Sequence, residues 1–179
     1  MPIGIQIIFI TLIALIFLSI PGGILEDNQV RLFSRSVYRL GIPVYINVMQ
    51  VKPVNLSALD KDVYTMDEGV FHFAADGYIY FRSMPEKRLM AMFTPFRLKC
   101  RAVFLSPEII KIIAVLPLAP TVLFSSLFIL GLLLCAPPGS PGLPFVLFSL
   151  AIFVLSYFVE KKRLKQMLLE LRVLLGKGG

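Results

Sequence analysis

At 179 residues the chain is 57% apolar and only 16% charged, with a mean hydropathy of +0.81. Soluble domains hold about 45–50% apolar and about 25% charged residues, so this balance excludes an ordinary water-solvated globule. The net charge of +7 accompanies long uncharged runs, so it points to orientation in a membrane rather than to nucleic-acid binding.

Residues 1–25 carry no charged side chain, and 3–25 are expected to form a first membrane-spanning helix. A cleaved signal would need a basic start and a small-x-small cleavage site, and Pro21-Gly22-Gly23 offers no such site. Residues 28–40 read as a basic amphipathic helix at the membrane interface. Val30, Phe33, Val37 and Leu40 recur at helical spacing, and Arg31, Arg35 and Arg39 recur every four residues on another face. Asn28 caps its start and Gly41-Ile42-Pro43 ends it.

Residues 43–115 are expected to form a small, β-rich, antiparallel cytoplasmic domain. The sequence predicts a strand over 44–51 and a short helix over 57–66 capped by Ser57. Strands are predicted over 69–74, 77–83, 88–93 and 97–105, with Asp76-Gly77 turning the first hairpin of that run. Residues 108–115 fit either a last strand or the start of a second span, and Lys111 favours the strand because a charge deep in lipid is costly. In the last of the strands over 97–105, Arg97, Lys99 and Arg101 alternate with Leu98, Cys100 and Ala102, which predicts a basic row on a solvated face that can also meet lipid or a partner. Phe71, Phe73, Tyr78, Tyr80 and Phe81 are the expected packing surface of the sheet. His72, the single histidine, is assigned a structural role, since no second histidine exists to build a metal site with it.

A second uncharged stretch is divided by Pro137, Pro138, Gly139, Pro141, Gly142 and Pro144, so it predicts a helical hairpin with spans over 117–135 and 143–159. Residues 160–179 read as a basic amphipathic helix and tail. Lys161, Lys162, Arg163 and Lys165 flank the last span, and Leu164, Leu168, Leu171 and Leu175 form a contact stripe that something must cover. The basic flanks share one side if the N-terminus is outside and the C-terminus cytoplasmic. The order span, β-rich segment, helical hairpin resembles that of small bacterial membrane proteins, which implies a plasma-membrane location.

The expected fold class is therefore an α+β membrane protein: three transmembrane helices with a small β-rich cytoplasmic domain inserted after the first. No charged group lies within the expected spans, which argues against a pump or channel. No nucleotide-binding loop, hydrolase elbow, zinc motif or CxxC pair is present, so no catalytic residue, cofactor or metal ligand is nominated, and the balance leans away from an enzyme. The expected function is that of an accessory or scaffold component presenting its domain to a partner protein or to a second copy. The alternative is a membrane-anchored module recognising anionic lipid through Arg31, Arg35, Arg39, Arg97, Lys99, Arg101, Lys161, Lys162, Arg163 and Lys165. An enzyme acting on lipid at the interface is a third reading. The partners expected are the bilayer and a protein, with no nucleic acid.

Overall fold

The computed structural model describes residues 3–51, 63–74, 77–84, 97–135 and 142–177. A long helix, α1 (Ile3–Arg31), opens the chain and continues through Pro21. It stops at Phe33, whose φ of +52° lies in the left-handed region, and the chain resumes as a short helix, α2 (Arg35–Arg39). The single amphipathic helix expected over 28–40 is thus two pieces. The break turns Val37 and Tyr38 inward, and both are buried.

Six strands follow: β1 (Ile42–Gln50), β2 (Val63–Thr65), β3 (Gly69–Phe73), β4 (Tyr78–Ser83), β5 (Lys99–Ser106) and β6 (Ile109–Leu116). They form one antiparallel sheet in the order β1-β6-β5-β4-β3-β2. Strands β2 to β6 are a meander, and β1 returns to pair with β6, Ile42 opposite Leu116. Val63–Thr65 is a strand, which overturns the C-terminal part of the helix expected over 57–66. The rest of that helix, the strand expected over 88–93, Asp76 of the first turn and the centre of the hairpin loop lie outside the described residues. Residues 109–116 are a strand, and Lys111 pairs across to Val48 and Val103.

Two more helices complete the chain: α3 (Leu118–Leu134) and α4 (Gly142–Lys177). Two of the helices, α1 and α4, are long and apolar enough to cross a membrane, and α3 is a shorter apolar helix of 17 residues. Helix α3 packs against both. Small residues permit the approach: a Cβ on Gly131 would stand 2.9 Å from Val146, and one on Gly142 would stand 2.4 Å from the Gly131 carbonyl oxygen. Thr11 and Thr121 turn their hydroxyls back on their own helices, Thr11 Oγ1 donating to Ile7 O at 2.8 Å and Thr121 Oγ1 to Pro117 O at 2.6 Å. The outward surfaces are apolar, with Ile10, Phe17 and Leu18 of α1 and Phe148, Leu155 and Phe158 of α4 exposed.

Helix α4 runs without interruption from the apolar bundle onto the sheet. Leu164, Met167, Leu171, Leu174 and Leu175 are buried together with Phe71, Ile79, Phe81, Cys100, Ala102, Ile110, Ile112 and Ala114, and Leu168 packs at their margin. The leucine stripe is therefore covered by the chain's own sheet. The opposite face of the sheet carries the end of α1 and all of α2. The expected aromatic surface is divided between the two faces. Phe71 and Phe81 stack beneath α4 with ring centroids 5.4 Å apart, while Tyr80 meets Tyr38 at 5.1 Å and His72 stacks on Phe33 at 5.1 Å.

Candidate functional site

Three consecutive residues at the start of β5 meet acidic side chains from two helices. Arg97 Nη1 stands 4.0 Å from Asp27 Oδ1 of α1. The Leu98 N–H donates to Glu160 Oε2 of α4 at 2.9 Å. Lys99 Nζ donates to Glu26 Oε1 of α1, and also to the Val37 and Leu40 carbonyls at 2.9 Å each. Lys99 is only 1% exposed, so all three of its ammonium donors are matched out of water. Glu26 does further work, accepting from the Leu118 N–H at 3.0 Å and the Ala119 N–H at 2.9 Å. It thus fills the unpaired first turn of α3 and places a negative charge at that helix's positive end. One carboxylate joins α1, α2, β5 and α3.

On the other face Glu160 also accepts from Arg163 Nη1 at 2.7 Å, and both residues are buried. They lie beyond Val159, on the part of α4 that covers the sheet. Burial pushes the Glu160 carboxyl up to about 7, while the Leu98 N–H and Arg97 pull it down. An acid whose folded pKa lies above its unfolded value takes up a proton on folding. Its stabilising share is full below about pH 4.5 and is lost as pH rises through about 7. Thermal unfolding of the detergent-solubilised chain, followed by circular dichroism, is therefore expected to occur at a higher temperature at pH 6 than at pH 8.5. Glu160→Gln should flatten that difference, and an unchanged pH profile in the variant would assign it to other groups.

Beside the Glu26–Lys99 pair, an open groove of about 640 Å³ runs between α1, α3 and the ends of β4 and β5. One end is apolar, lined by Ile20, Gly23 and Ile24 of α1 and by Pro120 and Leu123 of α3. The other end holds Asp27, Asn28, Arg31, Arg82 and Arg97. Asp27 is committed mainly to Arg31, which reaches it through Nη2 at 2.8 Å and Nε at 2.9 Å. Arg82 lies over the Phe33 ring at 5.5 Å, and its buried Nε finds no acceptor among the described residues. Burial is the main cause that lowers the Arg82 pKa. Arg31 and Arg97 add to the lowering, and Tyr38 and Asp27 oppose it. Three guanidiniums thus share one carboxylate, and since Glu26 and Lys99 cancel, the described residues of the lining carry two positive charges in excess.

The expected basic contacts are distributed unevenly. Arg31 and Arg97 enter the groove, while Arg35 and Arg39 are exposed on α2. Arg101 is half-buried on the face of the sheet that carries α2. Lys161, Lys162 and Lys165 are exposed on α4, which covers the opposite face. Lys99 and Arg163 are turned inward and matched, Lys99 by Glu26 from the helix that covers its face and Arg163 by Glu160 of its own helix, so neither presents its charge outward. Of the stripe, Leu164, Leu171 and Leu175 are buried and Leu168 is half-buried against the sheet.

Arg82 and Glu26 were not singled out by the sequence. Arg82 was within reach of the alternation rule, since it shares its face of β4 with Tyr80, whose partner on β5 is Arg101. Among the described residues no group of three or more His, Cys, Asp or Glu side chains is placed to hold a metal ion. Comparison with known protein families, curated proteins and solved structures finds no match. The reading of the site rests on its own geometry.

Proposed function

We propose that the chain is a three-span membrane protein whose sheet, on the cytoplasmic side, recognises anionic lipid at the leaflet surface. The observation that carries this reading is the excess of positive charge on Arg31, Arg82 and Arg97, which among the described residues of the lining share the single carboxylate of Asp27, at the mouth of an apolar cleft between two apolar helices. A lipid offers the matching arrangement, an anionic head joined to a chain. Lys and Arg after the first and last spans, and their absence from the hairpin loop over 136–141, support the inside placement of the sheet.

The test is lipid retention by the detergent-purified chain, read by native mass spectrometry after exchange into an equimolar mixture of phosphatidylglycerol and phosphatidylcholine. Anionic lipid should be enriched. Arg82→Gln and Arg97→Gln should each weaken retention by about tenfold, the worth of one charge-assisted hydrogen bond. Equal retention of the two lipids would overturn the reading.

The free edge of β1 favours a second reading, that of a scaffold pairing with a protein or a second copy. Val44, Ile46 and Val48 are exposed on a strand that carries no charged side chain, and among the described residues nothing pairs its outer edge. Such edges are normally guarded by charge or proline, and within β1 only Pro43, at its second position, serves that purpose. Val48→Lys should shift the chain toward monomer in cross-linking. No change in cross-linked species would remove this reading.

A further inference from the structure

We infer that the groove selects a phosphomonoester headgroup, a dianion, over the singly charged phosphodiester of common anionic lipids. This rests on the anionic-lipid reading and names its ligand class. The first argument is charge. The two positive charges in excess are held where the sheet and two helices restrict water, and Arg82 and Arg97 are both partly buried. A phosphodiester leaves one of them unmatched. A phosphomonoester carries about −1.5 to −2 at neutral pH and matches both.

The second argument is the supply of donors. Arg31 is already bonded to Asp27 through two nitrogens, so it contributes charge more than free donors. Arg82 lines the groove with its guanidinium over the Phe33 ring and its Nε enclosed, and Arg97 stands at 4.0 Å from Asp27, too far for a hydrogen bond. These two guanidiniums line the groove from β4 and from the segment that leads into β5. A terminal phosphate exposes three oxygens to such a pair, whereas a diester keeps only two that carry charge. Asp27 sets the upper limit on charge, because a more highly charged head would crowd its carboxylate.

The third argument decides between a lipid and a free phosphate compound. The polar end is continuous with the apolar end lined by Ile20, Gly23, Ile24, Pro120 and Leu123. A soluble phosphomonoester leaves that half empty, while a lipid fills it with chain. The occupant is therefore a lipid phosphomonoester.

The experiment presents the full chain in detergent with phosphatidic acid, phosphatidylglycerol or phosphatidylcholine, and counts bound lipid by native mass spectrometry. At pH 7.5 phosphatidic acid should be retained about tenfold better than phosphatidylglycerol, the worth of one further charge-assisted bond. The advantage should shrink at pH 5, where the monoester keeps a single charge. Arg82→Gln and Arg97→Gln should erase the preference, and Arg35→Gln, on the exposed side of α2, should leave it intact. Asp27→Asn should raise retention of both anionic lipids. Unchanged protection of buried Cys100 from alkylation shows that each variant is folded.

Equal retention of the two anionic lipids, both above phosphatidylcholine, overturns the phosphomonoester assignment and leaves the anionic-lipid reading standing. Equal retention of all three overturns both. Displacement of phosphatidic acid by glycerol 3-phosphate at comparable concentration overturns the lipid assignment, because it shows the apolar half of the groove to be idle.

Discussion

Glu26→Ala is expected to expose Cys100 to alkylation two to three orders of magnitude faster than in the parent chain, measured in a Cys135→Ser background so that the exposed thiol is silent. The variant removes the acceptor of Lys99 Nζ and of the Leu118 and Ala119 N–H groups in one step. Lys99 then stays 99% buried with its charge facing only the carbonyls of Val37 and Leu40. Removing one partner of a buried ion pair costs about 3–5 kcal/mol, because the remaining charge is neither hydrated nor neutralised. Relief requires β5 to leave its place between α1 and α4, and Cys100, on the α4 face of that strand, is uncovered when it does. Lys99→Met should cost a similar amount for the converse reason. The double variant Glu26→Ala with Lys99→Met should be milder than the sum of the two by about 2–3 kcal/mol, since neither partner is left charged alone. Strict additivity would show that the two side chains do not act as a pair.

Gly41→Ala is expected to destabilise the sheet by about 3 kcal/mol or more, read as loss of Cys100 protection and of strand signal in circular dichroism. Gly41 joins α2 to β1 at φ +137°, a conformation that side-chain-bearing residues rarely adopt. A Cβ there would stand 2.2 Å from the Leu116 carbonyl oxygen and 3.3 Å from the Val115 Cβ. The first contact is with backbone, so no rotamer change relieves it. Leu116 pairs with Ile42 and leads directly into α3, so a shift at this point disturbs the β1–β6 pairing and the entry to the helical bundle together. Gly176→Ala is the contrasting case: it lies on α4 with nothing within 4 Å and should be neutral or stabilise by up to about 1 kcal/mol. Equal effects at the two positions would mean that helix or strand propensity, rather than the close approach at Leu116, governs them.

Both predictions concern the joint between helices and sheet, and the groove proposed to hold a lipid phosphate depends on that joint. Arg82 sits at the end of β4, Arg97 just before β5, and Asp27 and Arg31 on the last turns of α1. Their mutual distances hold only while Glu26 and Lys99 lock α1 to β5. A variant of the pair should therefore weaken lipid retention as well as stability.

Much of this architecture was legible in the sequence because it is periodic and local. Uncharged runs of sufficient length make the apolar helices, and the proline cluster from Pro137 to Pro144 divides two of them. Strict alternation over residues 97–105 predicted that Leu98, Cys100 and Ala102 share one face, and all three are buried beneath α4. The spacing of Leu164, Leu168, Leu171 and Leu175 predicted one helical stripe.

What alternation and spacing cannot state is what lies over each face. The basic row of β5 was expected to be solvated, yet Lys99 is among the most buried side chains, because Glu26, 73 residues earlier, comes to rest above it. Arg163 was grouped with its basic neighbours and is instead turned inward on Glu160. Residues 28–40 carry helical periodicity throughout, but covering the sheet requires the chain to turn at Phe33. Periodicity is set by neighbours along the chain, and so the sequence by itself determined the elements and their faces. Desolvation is set by whichever distant segment arrives, and so only the tertiary structure decided which charges are matched inside the fold and which, as at Arg82 and Arg97, line the groove.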